Sequence, residues 1–135
     1  MQFGNKKKQS LDEVFDDLGT VLDHDVYLYR GVCVRPDLNA SKQCNFLNSI
    51  VEGGIIDNGT NYNATATNIN KSYDFSGGFG QYYVLKIKVP KGTKVMDMRH
   101  YYKSGFDEIV LPPCKYKVNH IDYATGIVDC DFIPN

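Results

Sequence analysis

Three short stretches of this sequence carry side chains suited to handling a charged sugar or a phosphate. Glu108 follows Lys103-Ser104-Gly105 and precedes Ile109-Val110-Leu111-Pro112. A carboxylate between a glycine-bearing loop and an apolar strand is held in place yet reachable, so it can face positive charge that develops on a substrate. Taken alone, Glu108 also fits a solvated strand start. Arg30 lies in Tyr27-Leu28-Tyr29-Arg30-Gly31, among apolar and aromatic neighbours. A half-buried guanidinium cannot leave its donors unpaired cheaply. A salt bridge to Asp23 or Asp25 would satisfy it; so would a phosphate or a ribose hydroxyl gripped by the planar fork. Gly31 beside it would let a ligand approach the backbone closely. The third stretch, Tyr62-Asn63-Ala64-Thr65-Ala66-Thr67, combines small residues with hydroxyls, although threonine is also an ordinary strand residue.

These residues need elements to hold them. Ser10-Leu11-Asp12-Glu13 has the form of a capping box, and Leu11, Val14, Phe15, Leu18 and Leu22 follow helical spacing, which predicts a first helix near 10–22. A second helix starts from Ser41, with Cys44, Phe46, Leu47, Ile50 and Val51 on one face, and Gly53-Gly54 stops it. Alternating or β-branched runs predict strands at 25–34, ending before Pro36, and at 62–67, 81–89, 94–97, 108–111, 115–123 and 126–133. Asp57-Asn58-Gly59 and Ala124-Thr125-Gly126 read as turns. The segment 71–80, with Tyr73, Phe75 and Phe79 among glycines, reads as a loop or a single helical turn. Two early helices followed by short strands make an α+β domain.

The 135 residues fit one domain, 1–135, with 1–9 as a flexible tail containing Lys6-Lys7-Lys8. A net charge of -1 argues against a dedicated nucleic-acid surface. No apolar run is long enough to cross a bilayer, and Met1-Gln2-Phe3-Gly4-Asn5 lacks the apolar core of a cleavable signal. Cys33, Cys44, Cys114 and Cys130 show no metal-ligand spacing, so reduced, buried thiols are expected. His24, His100 and His120 are scattered. Asp23-His24-Asp25 reads as a solvated helix-to-strand join, and no metal is expected.

In order and spacing, the arginine strand, the hydroxyl strand and the Glu-Ile-Val-Leu-Pro run resemble the Arg-Ser-Glu class of mono-ADP-ribosyltransferases. Val84 to Gly92 is similar to the strand and turn that lie between them. The resemblance runs from about residue 25 to 118. It implies an ADP-ribosyltransferase-like split β-sandwich that uses NAD as substrate and needs no metal. It implies catalytic parts for Glu108, Arg30 and Thr65. NAD contacts would come from Arg30, Gly31, Tyr62, Thr65, Thr67 and Phe75. Phe106 and Asp107 would lie on the acceptor side, Asp107 turned to the opposite face from Glu108 and mattering least. The implied partners are NAD and a macromolecular acceptor, a protein first, with nucleic acid left open; no membrane is involved and the chain is a monomer. The implied setting is a cytoplasm, its own or a target cell's, as a toxin, effector or phage-borne modifier.

Two positions depart from the family pattern. Members commonly read aromatic-x-Ser-Thr-Ser, whereas this chain has Tyr62-Asn63-Ala64-Thr65-Ala66, so either Thr65 alone or Thr65 with Thr67 supplies the hydroxyls. Two residues before the glutamate stands Phe106 in place of Glu or Gln, which disfavours arginine as the acceptor. Hydrolysis of NAD is therefore the first alternative to transfer, and a non-catalytic NAD-binding or interaction domain the second.

Overall fold

The computed structural model describes residues 10–33, 49–70, 82–100 and 107–135. Among the described residues, helix α1 (Leu11–Leu18) precedes nine strands: β1 (Thr20–Val21), β2 (Val26–Cys33), β3 (Ile55–Asp57), β4 (Asn63–Thr65), β5 (Tyr82–Val89), β6 (Lys94–Asp97), β7 (Ile109–Leu111), β8 (Cys114–Asp122) and β9 (Ile127–Pro134). A 3-10 turn, Met98–His100, follows β6.

The start of α1 is the one its sequence predicts. The Ser10 hydroxyl accepts a hydrogen bond from the Glu13 N–H at 3.2 Å, and Asp12 and Glu13 occupy the positive end of the helix dipole. Its end comes earlier than the expected residue 22. Gly19 turns extended, and β-branched Thr20 and Val21 pair with Val95 and Lys94 instead of continuing the helix.

The strands form two sheets. The larger runs β2-β5-β9-β8-β3 and the smaller runs β1-β6-β7-β4. Every pairing is antiparallel except β5 with β9. The core is built from both sheets: Leu28, Ile87, Val118 and Val128 from the larger and Val95, Ile109 and Leu111 from the smaller, all nearly or fully buried. Each such side chain stabilises the fold by about 1.5–3 kcal/mol relative to exposure. The β8–β9 hairpin closes as the sequence predicts, with Gly126 at φ 76° and its N–H donating to the Asp122 carbonyl at 2.7 Å.

Two short strands are additions to the sequence reading, β1 and β3. Most of the second helix expected from Ser41, the stop at Pro36, the loop or helical turn expected at 71–80 and the loop expected at 103–105 lie outside the described residues. Ile50, from the end of that expected helix, is buried in the core. Among the described residues no helix is long and apolar enough to cross a membrane.

One backbone contact joins the two sheets where it matters most. Tyr29 and Ala66 exchange both N–H···O bonds at 2.8 Å, as in an antiparallel bridge. The middle of β2 is thereby held against the end of β4, bringing the arginine strand to the hydroxyl strand.

Candidate active site

Three segments meet at this junction. From β2, Arg30 is half-buried, and its Nη1 donates to the Ala64 carbonyl at 2.9 Å. This bond draws the guanidinium across to β4. Neither acid suggested as a salt-bridge partner is bonded to it among the described residues: Asp23 pairs with His24, and Asp25 accepts from the Lys91 N–H at 2.8 Å. Asp23 and Asp25 thus each have one carboxylate oxygen engaged locally. Gly31 is the next residue of β2, paired with Val84 of β5.

The register of β4 against β7 decides which residues face Glu108. Asn63 lies opposite Leu111, Ala64 opposite Val110 and Thr65 opposite Ile109. Paired residues share a face and neighbours alternate. Ala64 and Val110 therefore share one face, while Ala66, just past β4, is 1% exposed and bridged to Tyr29. Thr65 and Ile109 share the other face, toward the core. Thr65 is 4% exposed, and its hydroxyl donates to the Ile109 carbonyl at 2.6 Å. Instead of lining a substrate cleft, that hydroxyl fastens β4 to β7. Of the two threonines, Thr65 gives its hydroxyl to the Ile109 carbonyl and Thr67 gives its own to Asp107.

Glu108 is half-buried, and its backbone carbonyl accepts from the Met98 N–H at 2.9 Å. The residue before it carries more bonds than expected. Asp107 accepts from the Thr67 N–H at 2.9 and 3.0 Å, from the Thr67 hydroxyl at 2.9 Å and from the Asn68 N–H at 2.9 Å. Both of its carboxylate oxygens are thus occupied within the chain. Asp107 was expected on the acceptor side as the residue that matters least; here it anchors the segment that follows β4. Thr67, expected at NAD, spends its hydroxyl on Asp107. Phe75 and Phe106 lie outside the described residues.

Tyr62, also expected at NAD, reaches α1 instead. Its hydroxyl donates to the Asp12 carboxylate, and its ring lies against Phe15 with centroids 5.5 Å apart. Burial, and then the Asp12 carboxylate, push the Tyr62 hydroxyl up to about 12. Lys94 completes the contact, with its ammonium 5.7 Å from the Phe15 ring centre and 3.2 Å from the Asp16 carbonyl. In this way α1 is docked on the small sheet beside the site.

Beneath Arg30 lies a buried polar group of Asn63, Cys114 and Tyr116. Burial pushes the Cys114 thiol up, an effect that hydrogen bonding to Tyr116 and Asn58 and the Arg30 charge partly offset. Burial raises the Tyr116 hydroxyl far above the ordinary tyrosine range, so it is neutral at any working pH. The Asn63 Nδ2 and the Tyr116 hydroxyl make no hydrogen bond of normal geometry among the described residues.

A separate cavity of about 650 Å³ opens between the sheets, lined by residues 20–28 together with Thr67, Val95, Asp97, Arg99 and Ile109. Its one arginine is held by Asp97 through bonds of 2.9 and 2.7 Å.

The sequence singled out Arg30, Gly31 and Glu108, and their strands do converge. It missed the inward turn of Thr65, the Asp107 contacts and the Tyr62–Asp12 bond. Nothing local marks the last two, since the partners lie 40 and 50 residues apart.

No protein-family model matches the sequence, and a search of curated proteins finds no match. Solved structures do resemble the fold. Plx2a, an ADP-ribosyltransferase toxin from Paenibacillus larvae, superposes with a TM-score of 0.57 at 18% identity, covering 84% of this chain and 64% of that one. Vis toxin, an ADP-ribosyltransferase from Vibrio splendidus, gives 0.63 at 14% identity, covering 91% and 54%. C3stau2 from S. aureus, solved with NAD, gives 0.58 at 16% identity, covering 86% and 65%. This chain spans between 54% and 65% of the length of these three proteins. Two sheets, one described helix and an arginine strand bridged to the strand beside Glu108 are thus arranged in the fold of the ADP-ribosyltransferase toxins.

Proposed function

We propose that this protein cleaves the nicotinamide–ribose bond of NAD and transfers the ADP-ribose to a macromolecule. The observation that carries this reading is the convergence of Arg30 and Glu108 through the Tyr29–Ala66 bridge and the β4–β7 pairing, within a fold shared with NAD-using toxins. Neither residue alone would support it.

The chemistry gives each residue a task. When the glycosidic bond breaks, its electron pair leaves with nicotinamide and positive charge develops on the ribose, as in glycoside hydrolysis. The Glu108 carboxylate faces that charge and stabilises the transition state more than the bound substrate. Arg30 grips the dinucleotide's phosphate or ribose oxygens with the N–H groups not given to Ala64. The backbone of Gly31 meets the nicotinamide amide. Ala64, exposed beside the Arg30 guanidinium, leaves room for substrate and contributes no hydroxyl. The nucleophile of the acceptor then attacks the ribose carbon and gives its proton to solvent.

Hydrolysis is the second reading, and one observation favours it. Asp107 is fully engaged with Thr67 and Asn68, so it offers no free carboxylate to orient an acceptor. Labelled NAD supplied with and without cell extract separates the two. Label on protein or nucleic acid supports transfer. Free ADP-ribose formed equally fast in buffer supports hydrolysis, and no nicotinamide release in either case ends both readings. A role as a toxin or effector acting in a target cell's cytoplasm follows the kind of protein that shares this fold, and growth of cells expressing the chain tests it.

A further inference from the structure

We propose that Asp107 is a positioning residue for Glu108, acting as a clamp between the chain entering β7 and the chain leaving β4. The inference rests on the reading of Glu108 as the catalytic carboxylate. Three facts lead to it. Four hydrogen-bond contacts of 2.9–3.0 Å, all to one carboxylate, join Asp107 to two successive backbone N–H groups and one hydroxyl. Bonds to a charged acceptor are the strong kind, and meeting both oxygens fixes orientation as well as distance. Second, the one hydroxyl of β4, that of Thr65, is given to the Ile109 carbonyl at 2.6 Å. Third, among the described residues the other restraints found on Glu108 are backbone ones: the Met98 N–H on its own carbonyl, and β7 beginning at Ile109.

Without Asp107 the approach to β7 would lose its tie to the chain leaving β4 and keep only the Met98 bond and the start of β7. The approach to Glu108 would then pivot about Ile109. A displacement of about 1 Å in a catalytic group can cost on the order of a hundredfold in rate while substrate contacts elsewhere survive. Thr67 and Asn68 also begin the connection toward residues 71–81, so one carboxylate ties together two of the site's segments.

The test compares Asp107→Asn, Asp107→Ala and Thr67→Val with the wild-type chain, reading nicotinamide release and amide hydrogen exchange. Asp107→Asn keeps one acceptor oxygen but turns an NH₂ toward an N–H donor. Asp107→Ala removes the clamp, and Thr67→Val removes one bond of it. The kcat should fall in the order Thr67→Val, Asp107→Asn, Asp107→Ala, reaching on the order of tenfold to a hundredfold, with KM for NAD within about twofold. Amides of 67–68 and 107–110 should exchange about tenfold faster in Asp107→Asn, while that of Val128 in the large sheet is unchanged. An unchanged kcat, a parallel rise in KM, or faster exchange that spreads to Val128 would overturn the clamp. If the wild-type chain releases no nicotinamide, the proposed function fails, and the exchange pattern alone decides whether Asp107 holds the 107–110 segment.

Discussion

The two sheets of this molecule differ in what their strands are for. In the five-stranded sheet, β2, β5, β8 and β9 are eight or nine residues long, and Val84, Ile87, Val118 and Val128 have no exposed surface. In the four-stranded sheet the strands run two to four residues, and Ala64 is exposed while Glu108 and Val110 are only half-buried. Long ladders with a sealed face give the first sheet its stability. Short strands in the second bring together residues from three distant segments, with side-chain bonds such as Thr65 to Ile109 and Asp107 to Thr67 standing in for ladder length. Stability and chemistry are thereby separated, and substitutions in the two sheets should fail in different ways.

The largest effect on stability should come from the large sheet. Leu85→Ala, at a fully packed position of β5, should cost about 2–5 kcal/mol in chemical unfolding. Activity per folded molecule should stay near the wild-type value. If activity fell in step with stability, the sheets would not be separable. Next, Arg30→Ala should weaken NAD binding by about 1.5–3 kcal/mol, the range for a hydrogen bond to a charged group, with a smaller effect on unfolding. Calorimetric titration with NAD checks this, and unaltered affinity would remove Arg30 from the site.

A smaller effect should appear where α1 meets the small sheet. The Tyr62 hydroxyl is raised from the ordinary 10 to about 12. Its neutral form is therefore favoured by folding, so the stabilisation is full below pH 10 and is lost as pH rises through 12. Tyr62→Phe should be less stable than wild type at pH 8 by up to about 1 kcal/mol. That difference should close between pH 10 and 12 in thermal melts. The smallest effect should be on thiol chemistry. Burial, then Asp129 and Asp131, push Cys130 up to about 12, and burial pushes Cys114 up as well. Both should stay unmodified by an aromatic disulfide reagent at pH 8 and react once denaturant is added, as mapped by mass spectrometry.

How much of this the sequence foretold depends on the range of the forces involved. The cap at Ser10, the alternation of the long strands and the turn at Gly126 are local, and each appears where its pattern predicts. The strand bearing Arg30 and the strand that follows Glu108 could be placed for the same reason. β1 could not, since two residues carry no periodicity and its existence depends on Val95 and Lys94. The facing of Thr65 depends on the β4–β7 register, which no residue within β4 specifies. Asp107 lies before β7 begins, so strand alternation said nothing reliable about its direction; its partners are Thr67 and Asn68, across the site. The motif positions were legible, and the bonds that hold them were not.

The most direct measurement is nicotinamide release from NAD by the wild-type chain and by Glu108→Gln, with NAD affinity and thermal unfolding measured on the same samples. Glutamine keeps the side chain's size and removes the charge that faces the developing cation. Turnover should fall on the order of a hundredfold or more. NAD affinity should stay within about threefold and the unfolding temperature within a few degrees, because an isosteric change at a half-buried surface site leaves packing intact. A Glu108→Gln protein that releases nicotinamide at the wild-type rate would contradict the central claim, whatever its stability.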